Sequence, residues 1–373
     1  MTIIHIIAVV SMAIYLGSLV LFRRGLRFPA MSRSSDFPFV SIVVAVKNEA
    51  AKLPGVIEQL IGQDYPPDKF EVIIIDNDST DETLAILHAA ADQHSNLHIF
   101  TTLTEDTPFH HKKAALAIGI RAAHGEIILT TDADCILGNK WVRTMASYFT
   151  DEVGIVVGFS AIRYRDWFTR IQAFDYLQLM AAAQGSINLG FAWACSGQNW
   201  AFRKILFEKA GGYMLLRDRI GGDDSLFMQV MQKRTRTKVV FAGEESAWVQ
   251  TEPVAEAGRF LRQRIRWASE ANYMHNLNRV FFAVVLATFL ANLVPLVYLV
   301  LWLAGLLPVY PLAMAVVLKL IGEGFLAAKT VRIYRKPELM KSFFAWFCLQ
   351  MPYIVFMGIM SFWGNNLGWG KNR

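Results

Sequence analysis

Residues Thr130 to Cys135 read "TTDADC" and close an apolar run, Gly125 to Leu129. Asp132 and Asp134 are hard oxygen donors one residue apart. At i and i+2 of an extended backbone both would face the same way. Such a pair suits Mg2+ or Mn2+, which also take phosphate oxygens and water. The same residue types cap helices and build turns, so the pair alone does not decide. Its placement does. It ends the third of three strand-like runs that each finish in polar residues. "VSIVVAV" (40–46) leads into Lys47-Asn48-Glu49, "FEVIIID" (70–76) into Asn77-Asp78-Ser79, and "EIILTTDAD" (126–134) holds the pair itself. Metal binding is therefore expected at Asp132 and Asp134.

The elements that must position these residues follow from the same pattern. Short apolar runs alternate with helical stretches, which predicts an α/β fold with a parallel, doubly wound sheet. Sheets of this kind bind ligands beyond the carboxyl ends of their strands. A GxGxxG turn does not follow the first run and no P-loop occurs, which disfavours a dinucleotide site or an NTPase. The chain has three cysteines and no CxxC, so neither a disulfide framework nor a zinc knuckle is expected.

Of the 373 residues, 54% are hydrophobic, more than in an ordinary soluble domain. The surplus lies in the first 22 residues and after about residue 280. Residues 1–22 are expected to form a retained transmembrane anchor, because the basic residues follow the apolar run. Residues 280–304, 309–328 and 343–363 are three further candidate spans. Lys319 and Glu323 fall inside the second and should face other helices or snorkel. The formal net charge is +6. Many of the basic residues flank the apolar runs, in "FRRGLR" and "KTVRIYRKPELMK". That is the positive-inside pattern, not a nucleic-acid footprint. It puts Arg23, Arg24, Arg27 and the 329–341 loop on the cytoplasmic side together with the middle domain. Four divisions are expected: the anchor 1–22, an α/β domain 36–258, an amphipathic interface helix 259–279, and three spans in 280–363.

Six stretches complete a recognisable set. They are "VSIVVAVKNEA", "VIIIDNDSTDET", "HKKAALAIGI" (111–120), "SGQNWAFRKILFEKAGGY" (196–213), and "GGDDSLFMQVMQK" (221–233) followed by "QRIRW" (263–267). Together with the Asp-x-Asp they resemble, in order, the motifs of family 2 glycosyltransferases. The membrane-integral branch, with cellulose, chitin and hyaluronan synthases and ceramide glucosyltransferase, is the nearest likeness. It runs from about Val40 to Trp267.

The resemblance implies a GT-A fold, Rossmann-like with a mostly parallel sheet, plus transmembrane helices. It implies roles as well. Glu49, Asp76 and Asp78 would accept hydrogen bonds from the nucleotide. The family often carries Asp-Asp-Gly-Ser where this chain has Asp76-Asn77-Asp78-Ser79, which leaves open which carboxylate meets the base. Lys112 matches the family lysine and would contact the phosphates, with Lys113 beside it read as a solvated charge. Asp132 and Asp134 would hold the cation on the diphosphate, Asp132 lying also against the nucleotide sugar. Asp224 would be the general base, with Asp223 positioning its loop, and displacement would invert C1. Gln263, Arg266 and Trp267 match QxxRW and would serve the diphosphate and an acceptor sugar. His110 and His111 look like a metal pair but would point apart on a strand. "WFTRIQAFDYLQLM" (167–180) reads as packing.

The expected protein is thus an integral membrane enzyme of the cell envelope, in a bacterial inner membrane or its equivalent. It would move a hexosyl or N-acetylhexosaminyl group from a nucleotide sugar, UDP-linked by resemblance, to a lipid acceptor, using Mg2+ or Mn2+. The alternative is a processive polysaccharide synthase, for which Lys319 and Glu323 are the few polar residues that could line a path. A non-enzymatic partner subunit is a remote third, since the Asp-x-Asp and the base are both present.

Overall fold

The computed structural model describes residues 2–105 and 107–366. In chain order the helices are α1 Thr2–Gly25, α2 Leu53–Ile61, α3 Thr83–Ala91, α4 Lys112–Ala122, α5 Trp141–Ser147, α6 Trp167–Ile187, α7 Lys204–Lys209, α8 Ser225–Thr235, α9 Ala257–Ala271, α10 Met274–Leu277, α11 Arg279–Leu303, α12 Val309–Ile333 and α13 Phe343–Met360. The strands are β1 Val40–Val46, β2 Phe70–Asp76, β3 Leu97–Thr101, β4 Ile127–Asp132, β5 Cys135–Leu137, β6 Val153–Gly158, β7 Ser160–Ile162, β8 Trp200–Arg203, β9 Lys238–Ala242 and β10 Val249–Thr251. The described residues form two units, an α/β unit (28–162 and 192–252) and a helical unit (2–27, 163–191 and 253–366). Helix α6 lies inside the stretch 36–258 but belongs to the helical unit.

The α/β unit is built on a seven-stranded sheet ordered β3-β2-β1-β4-β8-β6-β9, with a small sheet β5-β10-β7 beside it. All pairings in the large sheet are parallel except those of β8 with β4 and β6. β2 is buried along its whole length, as expected of a strand covered on both faces. α2 shows why the intervening stretches fold as helices. Leu53, Val56, Ile57 and Leu60 are its buried residues, at i, i+3, i+4 and i+7.

Four helical stretches of the chain are long and apolar enough to cross a membrane: Thr2–Gly25, Arg279–Leu303, Val309–Ile333 and Pro337–Trp363. α1 and α6 cross closely at two glycines. A Cβ on Gly25 would sit 2.0 Å from the Gly185 carbonyl oxygen, and one on Gly185 would sit 2.5 Å from the Phe22 carbonyl oxygen. Small residues are what let helix backbones approach this far. The two charged residues in the middle of α12 face other helices. Lys319 lies 2.5 Å from Glu323, Tyr15 of α1 donates to Glu323 at 2.5 Å, and Gln350 of α13 donates to its other carboxylate oxygen. Lys319 Nζ also sits 4.7 Å from the centre of the Phe347 ring. The cluster ties three helices and is closed on itself.

Candidate active site

The sheet register decides which loops meet. Val46 pairs with Asp76, and Ala45 with Asp132. The turns after β1, β2 and β4 therefore leave the sheet at one edge. β8 runs the other way, with Trp200 opposite both Thr130 and Val157. Its start, not its end, reaches that edge, and this brings in residues 195–199. Thr130 Oγ donates to the Gly197 carbonyl at 3.3 Å.

Asp132 is the last residue of β4, while Ala133 and Asp134 form a turn into β5. The extended i, i+2 geometry expected from the sequence is not what holds the pair. Both carboxylates are half-buried on the turn. Lys112, the first residue of α4, reaches Asp132. Its Nζ is 2.6 Å from Asp132 Oδ1 and 3.3 Å from Asp223 Oδ2. Burial alone would lower its pKa, but Asp132, Asp223 and Asp224 outweigh that and raise it, so the ammonium stays charged at neutral pH. One cation thus joins the Asp-x-Asp to the Asp223-Asp224 turn.

Asp223 is buried and Asp224 half-buried. Gly222, at φ +91°, makes the left-handed step that leads into them. Asp224 is the N-cap of α8. Its Oδ1 accepts from the Ser225 amide and its Oδ2 from the Gly197 amide at 3.0 Å. Ser225 Oγ donates to the Cys195 carbonyl at 2.9 Å and accepts from the Cys195 amide at 3.1 Å. The loop before β8 and the start of α8 are stitched together around this carboxylate. Burial, and then the neighbouring charge of Asp223, push the Asp224 pKa up to about 6, against the two amides and Lys112.

Lys113 is not a solvated charge. It is fully buried, and its Nζ donates to the carbonyls of Leu216 and Arg219 and, at 3.2 Å, of Gly221. It pins the segment that runs into Asp223. The sequence held a signal for this, because Lys113 lies three and seven residues before Leu116 and Ile120, on the buried stripe of α4.

On the nucleotide side Asp76 and Asp78 differ sharply. Asp76 is fully buried; Oδ2 accepts from the Ser79 amide at 3.2 Å, and Oδ1 has no hydrogen-bond partner among the described residues. Asp78 stands at φ +60° with its side chain exposed, 3.6 Å from Lys47. Asn48 Oδ1 accepts from the Thr80 amide at 2.8 Å, which ties the β1 turn to the β2 turn. Glu49 lies 3.3 Å from Lys52. His110 and His111 are in the loop before α4, not on a strand, with ring centres 6.5 Å apart.

Gln263, Arg266 and Trp267 lie on α9, in the helical unit, each half-buried. Arg266 forms no ion pair among the described residues. Trp267 does not offer a bare ring. The Arg264 guanidinium sits 4.4 Å from its centre, and Tyr176 packs against it at 5.9 Å. Arg264, expected only as one of the basic residues of the amphipathic helix, is buried and lies 3.2 Å from Asp175, which also accepts from the Trp346 indole. Its spacing from Phe260 and Trp267, i+4 and i−3, would have put it on their face.

Among the described residues no cluster of three or more His, Cys, Asp and Glu side chains is poised for a metal. The donor set at 132–134 still fits a hard cation. It is oxygen-only and half-buried, the donor chemistry that Mg2+ or Mn2+ takes together with phosphate oxygens and water.

This mostly parallel sheet, with carboxylates and a lysine gathered at its carboxyl edge, is a GT-A fold. The fold is that of a mannosyltransferase from Pyrobaculum calidifontis solved with GDP-Man and Mn2+, with a TM-score of 0.62 over 96% of this chain and 99% of that one, at 21% identity. The profile of glycosyl transferase family 2 matches residues 41–211, and that of glycosyl transferase family group 2 matches residues 127–360. The chain belongs to family 2 of the glycosyltransferases. It is 34% identical to glycosyltransferase AglE of Haloferax volcanii over 37% of this chain and 48% of that protein. It is 29% identical to a beta-monoglucosyldiacylglycerol synthase of Nostoc over 65% of this chain and 51% of that protein. The chain spans about half the length of these curated relatives.

Proposed function

We propose that the chain transfers one or a few sugars from a UDP-sugar to a lipid hydroxyl at the cytoplasmic face of a membrane, with inversion at C1. The observation that carries this is the Lys112 bridge, which draws Asp132 and Asp223 onto one ammonium with Asp224 next in the chain. Donor-side and acceptor-side motifs thereby share a single ion-pair cluster. Asp76, with its buried unpartnered Oδ1, is the acceptor for a base N–H; Asp78 is left outside with Lys47. Lys112 turns to the phosphates. Asp224 takes the proton of the acceptor hydroxyl as the new O–C1 bond forms and the C1–O bond to the diphosphate breaks. Mg2+ or Mn2+ on Asp132 and Asp134 would neutralise the charge that leaves with the nucleoside diphosphate. Gln263, Arg266 and Trp267 keep their assignment to the diphosphate and acceptor on their motif alone.

Two things favour a lipid over an extruded polymer. A relative is named for a lipid product. And Lys319 and Glu323, the charged pair inside the second candidate span that a polymer path would draw on, are spent on each other, Tyr15 and Gln350.

The test is nucleotide release by the protein in lipid nanodiscs, across UDP- and GDP-sugars, with Mg2+, Mn2+ or EDTA, alongside Asp134→Ala. Release from one donor, lost with EDTA and in the variant, and product recovered in organic solvent, is the expected result. Release unchanged by EDTA would remove the cation from the scheme, and product left in the aqueous phase as polymer would remove the lipid acceptor.

A pH profile follows from Asp224. A base works only when deprotonated, so kcat/KM should be flat above its pKa and fall about tenfold per unit below it. With that pKa near 6, half-maximal activity is expected near pH 6, against about 4 for an ordinary carboxylate. An acid limb near 4 would count against Asp224 as the base.

A further inference from the structure

The stretch read as packing, 167–180, carries one carboxylate, Asp175 of α6. Its Oδ2 lies 3.2 Å from Arg264 Nη2 on α9, and its Oδ1 accepts from the Trp346 indole of α13 at 3.0 Å. One carboxylate thus ties α9 to two other helices of the same unit. Arg264 is only 3% exposed. Its guanidinium lies between two rings of its own helix, 5.0 Å from the centre of Phe260 and 4.4 Å from that of Trp267. The three residues stand at i, i+4 and i+7, so they stack along one face of α9. Arg264 Nε has no hydrogen-bond partner among the described residues.

For stability alone this is a poor arrangement. Desolvating two charges offsets their attraction, and apolar side chains of the same volume often hold helices together as well. What the ion pair adds is direction. A guanidinium is planar, with its donors in a fixed fork, and it lies against an aromatic face. With Asp175 held by Trp346, that plane has one setting, and the Trp267 indole beneath it is set as well. Trp267 is the aromatic residue of QxxRW, assigned above to the acceptor. We propose that Arg264 and Asp175 are positioning residues: the pair fixes the plane of the Trp267 indole, and through it the fit of the acceptor. The guanidinium covers one face of the ring, so the acceptor meets the surface that is left. This rests on the transferase reading and on the assignment of Trp267.

The test uses two variants in nanodiscs. Asp175→Asn keeps an acceptor for the Trp346 indole but leaves Arg264 a buried, unpaired cation, so its Tm should fall. Asp175→Asn combined with Arg264→Met removes both charges and fills the space, so its Tm should stay close to that of the wild type. The kinetic readout is nucleotide release from the active donor as membrane lipid extract is titrated in as acceptor. In both variants the initial slope against extract should fall about tenfold, the scale of a desolvated cation–π contact, while KM for the donor stays within about twofold. The spectroscopic readout is 19F NMR of 5-fluorotryptophan protein. The line that disappears in Trp267→Phe should shift in both variants. In the Trp267→Phe background the charge removal should lower the slope no further. An unchanged slope in the double variant, or a Trp267 line that does not move, would overturn the role, as would full additivity with Trp267→Phe. So would a slope lost in Asp175→Asn and regained with Tm in the double variant, since the pair would then only hold helices together. Trp267→Phe with the wild-type slope would overturn the acceptor assignment beneath it. A wild type that releases no nucleotide from any donor would overturn the transferase reading and this role with it. Turnover by the wild type with both variants unaffected overturns this role alone.

Discussion

Asp224→Asn should lower kcat about 10³-fold, within the range for loss of a positioned general base, while leaving donor binding nearly intact. The substitution is close to isosteric, so the reasons are chemical. The amide cannot take a proton from the acceptor hydroxyl. Of the two carboxylate oxygens, one faces the Ser225 amide and the other the Gly197 amide. Asparagine can satisfy only one of them, and its NH2 opposes the other donor. A modest loss of stability is therefore expected beside the large loss of rate. The checks are single-turnover kinetics for the chemical step and calorimetric titration with the nucleoside diphosphate for binding. Asp223→Asn is the informative companion. It weakens the Lys112 bridge without removing the base, so its rate loss should be well short of the Asp224 effect. If Asp223→Asn were the more damaging, the base would have to be reassigned to the residue that Lys112 holds.

How much of this was legible in the sequence depended on whether the pattern was local. The three strand ends were, because a β-branched run ending in carboxylates marks both the strand and its edge. The register that sets Val46 beside Asp76 and Ala45 beside Asp132 then follows from a parallel sheet. The reversed strand β8 was not legible. Nothing in "WAFR" sets its direction, yet that direction brings Gly197 to Asp224. The geometry of Asp132 and Asp134 was misread for a related reason: an Asp-x-Asp fits a strand or a turn equally well, and the short strand β5 right after it forces the turn. The ion pair of Lys319 and Glu323 could be anticipated from their i, i+4 spacing in an apolar helix, but Tyr15 and Gln350 come from distant helices. Lys113 was read as a solvated charge, and Arg264 was given no role of its own, because basic residues on half-polar helices are normally solvated. Only their phase relative to the apolar stripe argued otherwise.

Lys113→Met should destabilise the α/β unit by about 3 kcal/mol or more, since carbonyls of Leu216, Arg219 and Gly221 lose their donor. Methionine fills the space and removes the cost of burying an ammonium. The loss therefore isolates the unsatisfied carbonyls, less whatever water can reach. For a unit of this size that corresponds to a fall in Tm of about 10 °C. Activity should fall further than stability accounts for, because the pinned residues 216–221 lead straight into Asp223 and Asp224. Measured well below Tm, kcat should drop while the nucleoside diphosphate still binds, since its proposed ligands at Asp76 and Lys112 lie before and beside the clamp. Lys113→Arg should not rescue either quantity. The longer planar guanidinium does not fit a fully buried site whose oxygens converge on one nitrogen. A Tm within about a degree of wild type would mean that the segment holds its shape without the lysine. The route from α4 to the acidic turn would then rest on Lys112 alone.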